Sequence, residues 1–379
     1  MRPSTASILV LVLLSIGLSS PVARGDDGDK GGVHARVALD GTVLAASIEQ
    51  APLRAAMRRG LAFLAAQQTT AQDGSLPAGQ GEYRAPVGVT ALAAIAFMAA
   101  GSTPGRGEYG EEVAAAVDYL LSRVKPEDDE HSGYIGDEAD RKSGMHGHGL
   151  ATLALAQAYI MSPASPRGRR TAQALLAGVH LIELTQGAEG GWMYRPVRDI
   201  QHEGSVTVCL VQGLRAARNA GILVDSKVIA RAVDYVKRLQ TPEGSFRYHL
   251  NDQKVSVALT AACLSTLHAT GIYEGREIDD GYGYIWRELA VREVAEERGA
   301  RTKRAQFPFY ERFYLAQALW QHPDEDVFRQ WARKEVERIL VDQNENGSWS
   351  SSLFGDSYAT AMNCLFLAVP DGLLPIFQR

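Results

Sequence analysis

The chain has 379 residues, a formal net charge of −5, 46% hydrophobic and 22% charged residues. That balance fits a folded globular protein, and no basic cluster is dense enough to follow a phosphate backbone, so nucleic acid is not an expected partner. The three cysteines, Cys209, Cys263 and Cys364, are an odd number set in apolar stretches, where a thiol packs as a small hydrophobe; they give no disulfide framework.

In chain order, Arg2 precedes an apolar run from Ile8 to Leu18, and small residues lead to a cleavage position after Gly25. This pattern predicts a signal peptide over 1–25 and export to the periplasm or outside the cell. Residues 26–45 begin rich in Gly and Asp, lack helical periodicity through about Gly41, and read as a flexible leader. From 46 to 379 no apolar run reaches bilayer-spanning length, so no transmembrane segment is expected after cleavage.

This long remainder is repetitive. A Gln followed by a Gly turn recurs as Gln68…Gly74-Ser75, Gln186…Gly190-Gly191-Trp192, Gln240…Gly244-Ser245-Phe246 and Gln343…Gly347-Ser348-Trp349, with a degenerate copy at Ser132-Gly133-Tyr134. The glycine spacings are 59, 57, 54 and 103, and the last is two periods, so one repeat has lost its signature near Gly299. Six units follow. The segment before each turn is amphipathic, as in 227–240, where Val228, Ile229, Ala232, Val233, Val236 and Leu239 form one stripe. The segment after each turn is apolar nearly all round, as in 87–100, 149–160, 206–220, 255–270 and 358–369, and Gly101, Gly221 and Gly271 stop three of these. A helix with no polar face must be covered on both sides. The economical arrangement is an all-α toroid, an α6/α6 barrel of six helical hairpins with the apolar helices inside.

The Gln-x-x-x-Gly-Ser/Gly-Trp/Phe turn resembles the so-called QW signature of squalene cyclases and, more loosely, of protein prenyltransferase β subunits. The layout resembles bacterial exported proteins of the prenyltransferase/squalene-cyclase repeat family, in segments such as Gly190-Gly191-Trp192-Met193-Tyr194-Arg195-Pro196, His148 to Thr152 and Leu374 to Arg379. The resemblance implies an α/α toroid over nearly the whole mature chain and a terpenoid-type ligand. The chemistry of the well-understood relatives does not carry over. The nearest string to a cyclase D-x-D-D acid motif, Glu277-Ile278-Asp279-Asp280, is expected just before an outer helix, as a cap. The Asp-x-Cys of a prenyltransferase zinc site is absent from the sequence. Whether the chain is an enzyme stays open at this point.

Candidate site residues gather at the entrances to the inner helices, which converge on one mouth: His146, His148, Asp199, His202, Glu203, Asp252, Tyr310, Glu311, Tyr314 and Tyr358. Thr90, Thr152, Thr207, Thr260 and Thr360 stand near the same entrances, where they are read as caps. His146 and His148 lie in a Gly-rich stretch, 144–149, read as a turn that brings both rings to one point, a weak candidate for a metal. The aromatic run 307–314 adds rings to the mouth. Three functions are open on these residues: a cavity for a hydrophobic, isoprenoid-like molecule; a non-catalytic scaffold binding protein or polysaccharide; and a carbohydrate-active toroid, which needs two facing carboxylates supplied from Asp199, Glu203 and Glu311.

Overall fold

In the computed structural model, the described residues are 50–138, 140, 143–300 and 305–375. The expected signal peptide and leader lie outside them. Twelve α-helices, with no β-strand among the described residues, alternate between two concentric layers. The outer helices are α1 (Gln50–Ala71), α3 (Gly110–Ser122), α5 (Pro166–Thr185), α7 (Ser226–Arg238), α9 (Arg276–Glu297) and α11 (Glu325–Asp342). The inner helices are α2 (Pro86–Ala99), α4 (Gly144–Met161), α6 (Gly204–Asn219), α8 (Val257–Ala269), α10 (Pro308–Trp320) and α12 (Asp356–Ala368). Each inner helix packs on the next, and α12 returns to α2, which closes the ring. This is the α/α toroid expected from the polarity of the repeats.

The layering follows from composition. Every residue of α2 is buried, and α8 exposes almost nothing, because each is covered by outer helices on one side and by inner neighbours on the other. Burial of a single Val-, Leu- or Phe-sized side chain contributes about 1.5–3 kcal/mol, so a ring of such helices supplies the core no lone hairpin has. The outer α7 instead buries the stripe read from sequence together with Tyr235, and leaves its opposite face exposed. Gly101, Gly221 and Gly271 all take positive φ where inner helices end.

Two local expectations are corrected. The stretch 144–149 is the first turn and a half of α4 rather than a loop. Its glycines let inner helices approach closely: a Cβ on Gly149 would meet the Cys209 carbonyl at 2.9 Å, and one on Gly213 would meet the Gly149 carbonyl at 2.8 Å. The acidic string 277–280 lies within the first turn of α9 rather than before it, with Asp280 paired to Arg276 at 3.0 Å. It still favours the positive helix end.

Candidate functional site at the mouth of the barrel

The QW-like turns define the mouth because they join the C-terminus of each outer helix to the N-terminus of its inner partner. Their glutamines stitch repeat to repeat. Gln68 Nε2 donates to the carbonyls of Gly74 and of Glu112 in α3, Gln186 to Gly190 and Val228 in α7, Gln240 to Gly244 and Glu277 in α9, and Gln343 to Gly347 and Ala56 in α1. The turn glycines, all at positive φ, press against the same next outer helix. The tryptophans fill behind: Trp192 Nε1 donates to the Ile182 carbonyl and Trp349 Nε1 to that of Ile339, each at 2.8 Å.

The threonines do something other than cap their own helices. Thr90, Thr207, Thr260 and Thr360 each accept the backbone N–H two residues beyond the turn glycine, from Leu76, Trp192, Phe246 and Trp349, at 3.0–3.2 Å. In the second repeat that role falls to His148, whose Nδ1 accepts the Ile135 N–H at 3.0 Å while Nε2 donates to the Gly178 carbonyl at 3.2 Å. His148 is therefore a buried structural residue facing the outer layer. Residues two apart on a helix point to opposite sides, so His146 faces the barrel axis and the two rings do not converge. Among the described residues no group of three or more His, Cys, Asp or Glu side chains is placed to hold a metal ion.

His146, Tyr310 and Tyr358 stand half-buried near the N-termini of their inner helices, at the mouth. There, His146 Nε2 lies 2.9 Å from Ser205 Oγ, and Ser205 donates to Glu203 Oε2 at 2.6 Å. Glu203 is the N-cap of α6, also accepting the Val206 N–H at 2.8 Å, and its Oε1 has no protein partner. The helix end favours the carboxylate, but burial outweighs it and raises the Glu203 carboxyl above the usual range. Burial also holds the His146 imidazole neutral, down to about 4. The Tyr194 ring stands 5.8 Å from His146, and Tyr310 and Tyr314 pack at 4.5 Å. An aromatic rim continues through Phe309, Tyr358 and Phe354 to Tyr83 of the first repeat.

Below the mouth the axis is polar, contrary to the expected apolar interior. Ser205, Cys209 and Gln212 on α6 and Tyr310, Tyr314 and Gln317 on α10 fall at helical spacing on facing stripes. Tyr314 donates to Gln212 Oε1 at 3.1 Å with Cys209 Sγ at 3.8 Å, and Gln212 reaches Gln317 at 3.3 Å. All three cysteines are buried and unpaired. Their neighbours made them look apolar in sequence; only the register shows that Cys209 faces the axis.

The remaining expected residues are dispersed. His202 is buried in the loop before α6, bonded to the Asp199 carbonyl and packed edge-on to Tyr235. Asp199 accepts the Gln201 N–H and Asp252 the Lys254 N–H, both turn contacts. Glu311 points away from the axis and is held by both guanidinium nitrogens of Arg292 on α9. Asp140 went unnoticed in the sequence: it is buried, its Oδ2 accepts the Asp137 N–H at 3.0 Å, Oδ1 has no partner, and burial pushes the carboxyl up to about 7. No signal beyond an Asp near the second turn marks it.

No family model matches the chain, and no curated protein matches it in sequence. Solved structures do match in fold. The type II terpene cyclase MstE from Scytonema superposes with a TM-score of 0.54 at 16% identity, over 85% of this chain and 98% of that one. The GH76 α-mannanase of Bacteroides thetaiotaomicron gives a TM-score of 0.59 at 9% identity, over 87% and 97%. An inactive variant of the α-1,6-mannanase GH76A of Salegentibacter sp., in complex with α-1,6-mannotriose, gives 0.54 at 9%, over 83% and 98%. At these identities the likeness establishes the α/α-toroid fold alone.

Proposed function

We propose that this chain is an exported toroid of the prenyltransferase/squalene-cyclase repeat type that takes a small, largely apolar, isoprenoid-like molecule into the mouth of the barrel at the inner-helix N-termini. The observation that carries the reading is Glu203: a buried carboxyl with Oε1 unpartnered, at the end of the barrel where the half-buried Tyr310 and Tyr358 stand. An unpartnered buried acceptor costs about 1–3 kcal/mol, which a ligand hydroxyl or the carboxyl's own proton relieves. Tyrosine rings give an apolar guest large contact area, and their electron-rich faces meet its C–H groups. The fold likeness to a terpene cyclase solved with geranylgeranyl dihydroxybenzoate supports a toroid as a container for such molecules. The Glu203–Ser205–His146 chain orients the polar end of the guest, which the unpartnered Oε1 of Glu203 is free to bond.

The carbohydrate-active reading has less support at the mouth, since Glu311 is neutralised by Arg292 and Asp199 is engaged by its own turn. Native mass spectrometry of the chain purified from its exported compartment tests the proposal, with metal analysis on the same sample. A mass for a chain starting at Asp26 and a retained lipid-sized adduct, lost in Glu203→Gln or Tyr310→Ala, are the expected results. A clean apo mass that takes up neither farnesol nor geranylgeraniol would overturn the ligand assignment, and an intact N-terminus would overturn export.

A further inference from the structure

Four of the six junctions carry a glutamine stitch; the second repeat lacks the glutamine but keeps Gly133 pressed on the Ala177 carbonyl, and a single junction among the described residues lacks both. The turn after α9 carries neither the glutamine nor the pressed glycine: Gly299 takes φ 64, but a Cβ there would meet nothing within 4 Å. Between the outer helices α9 and α11 opens a groove of about 1590 Å³ floored by α10 and by Asn363 of α12. Only exposed ion pairs, Glu293–Lys334 and Glu296–Arg338, bridge its walls. Such pairs contribute little and yield readily.

The floor carries charge: the inner helix α10 turns Glu311 and Arg312 toward the outer layer, where α2 places only apolar or small uncharged groups. Arg312 bridges Glu335 at 2.9 Å and Asn363 Oδ1 at 2.9 Å, and its guanidinium stands 5.9 Å from the Phe309 ring. Asn363 is 1% exposed, and its Nδ2 donor has no protein partner. A built polar network left with one open donor, at the bottom of a groove, is a recognition feature. Trp286 and Trp331, one on each wall and both half-buried, add aromatic faces.

We infer that the α9–α11 groove is a second binding site, distinct from the mouth, for a neutral oligosaccharide. Six basic and six acidic side chains line it, so it is formally neutral, and the floor charges are already paired. A phosphate or a charged peptide would have to break those pairs at a desolvation cost. A neutral, hydroxyl-rich chain does not: its hydroxyls bond to paired guanidinium and carboxylate groups while its C–H faces lie on tryptophan. The groove is also larger than the roughly 300–1,000 Å³ of a site for one compact metabolite, which suits a chain of rings.

The test is a calorimetric titration of the intact chain with maltotriose, cellotriose and α-1,6-mannotriose. Saturable binding of at least one is expected, weakened by about tenfold or more in Trp286→Leu and in Trp331→Leu and kept in Glu203→Gln, which alters only the mouth. Thermal melts establish that each variant is folded; a tryptophan variant that fails to fold is replaced by Gln330→Trp, which fills the groove from an exposed position and should block binding. Failure of all three sugars to bind overturns the inference. So does binding that Glu203→Gln removes and the groove variants spare, or saturable binding of a charged peptide in place of the sugars.

Discussion

The junction between the third and fourth repeats and the one between the fifth and sixth are built from the same pair of layers, yet one is sealed and the other open. At the first, Gln186 bonds two backbone carbonyls, Gly190 lies against the Arg231 carbonyl, and Trp192 is buried behind them. At the second, no glutamine stitch forms and charged side chains meet across a groove. The difference shows that the apolar inner ring alone does not seat the outer helices. The pressed turn glycine, backed at four junctions by a glutamine, seats them, and where both are missing polar surface reaches the inner layer.

Glycine substitution should separate the two junctions most sharply. Gly190→Ala places a Cβ 2.2 Å from the Arg231 carbonyl at φ 97, and is expected to cost about 4 kcal/mol or more in denaturant unfolding. Gly299→Ala, with open space around it, should cost only about 1 kcal/mol, the left-handed penalty alone. Equal effects would mean that the pressed glycine is not what seats the helices.

The second repeat offers a subtler test, because it uses His148 in place of threonine. Burial lowers that imidazole to about 4, so the unfolded chain binds the extra proton between its ordinary value near 6.5 and about 4. Stability from this group is complete above that window and falls as pH drops through it, by roughly 3 kcal/mol. Asp140 and Glu203 act in the opposite sense, since their raised carboxyls lose stability as pH rises. The comparison with His148→Thr isolates the histidine: this variant keeps an acceptor for the Ile135 N–H, costs about 2 kcal/mol at pH 7 through lost volume, and should show a smaller stability loss between pH 7 and pH 4. An unchanged slope would refute the structural role. The smallest of the sealed-junction effects is Gln186→Ala, expected at about 2 kcal/mol by thermal or denaturant unfolding, because two buried carbonyls lose their donor.

The architecture was legible because polarity and period carry it: glycine turns at fixed spacing, and inner segments such as 87–100 with no wet face. The site was legible only in part. Glu203, Tyr310, Tyr314 and Tyr358 were named as candidates from their position near helix entrances, and they lie on or at the start of inner helices, as His146 does. His148 misled because three glycines around it look like a loop, when they serve helix-to-helix approach. Glu311 misled because an entrance position does not say which side of a helix a residue takes. The spacing from turn glycine to threonine runs from 13 (Gly347 to Thr360) to 17 (Gly190 to Thr207), and His148, 15 on from Gly133, falls inside that range whereas Thr152, 19 on, does not. The groove had one visible sign, the turn missing near Gly299, but an absent motif does not reveal what fills its place.

The last stitch, from Gln343 to the Ala56 carbonyl, joins positions 287 residues apart. An open stack of hairpins can gain or lose a unit at its end and can grow from any nucleus. A closed one cannot: the first hairpin has no neighbour on one flank until the sixth has been synthesised and docked, and the loop entropy of that docking comes before its reward. Such a chain should fold with a slow late step, tolerate truncation at neither end of the barrel, and evolve by altering its staves rather than by changing their number.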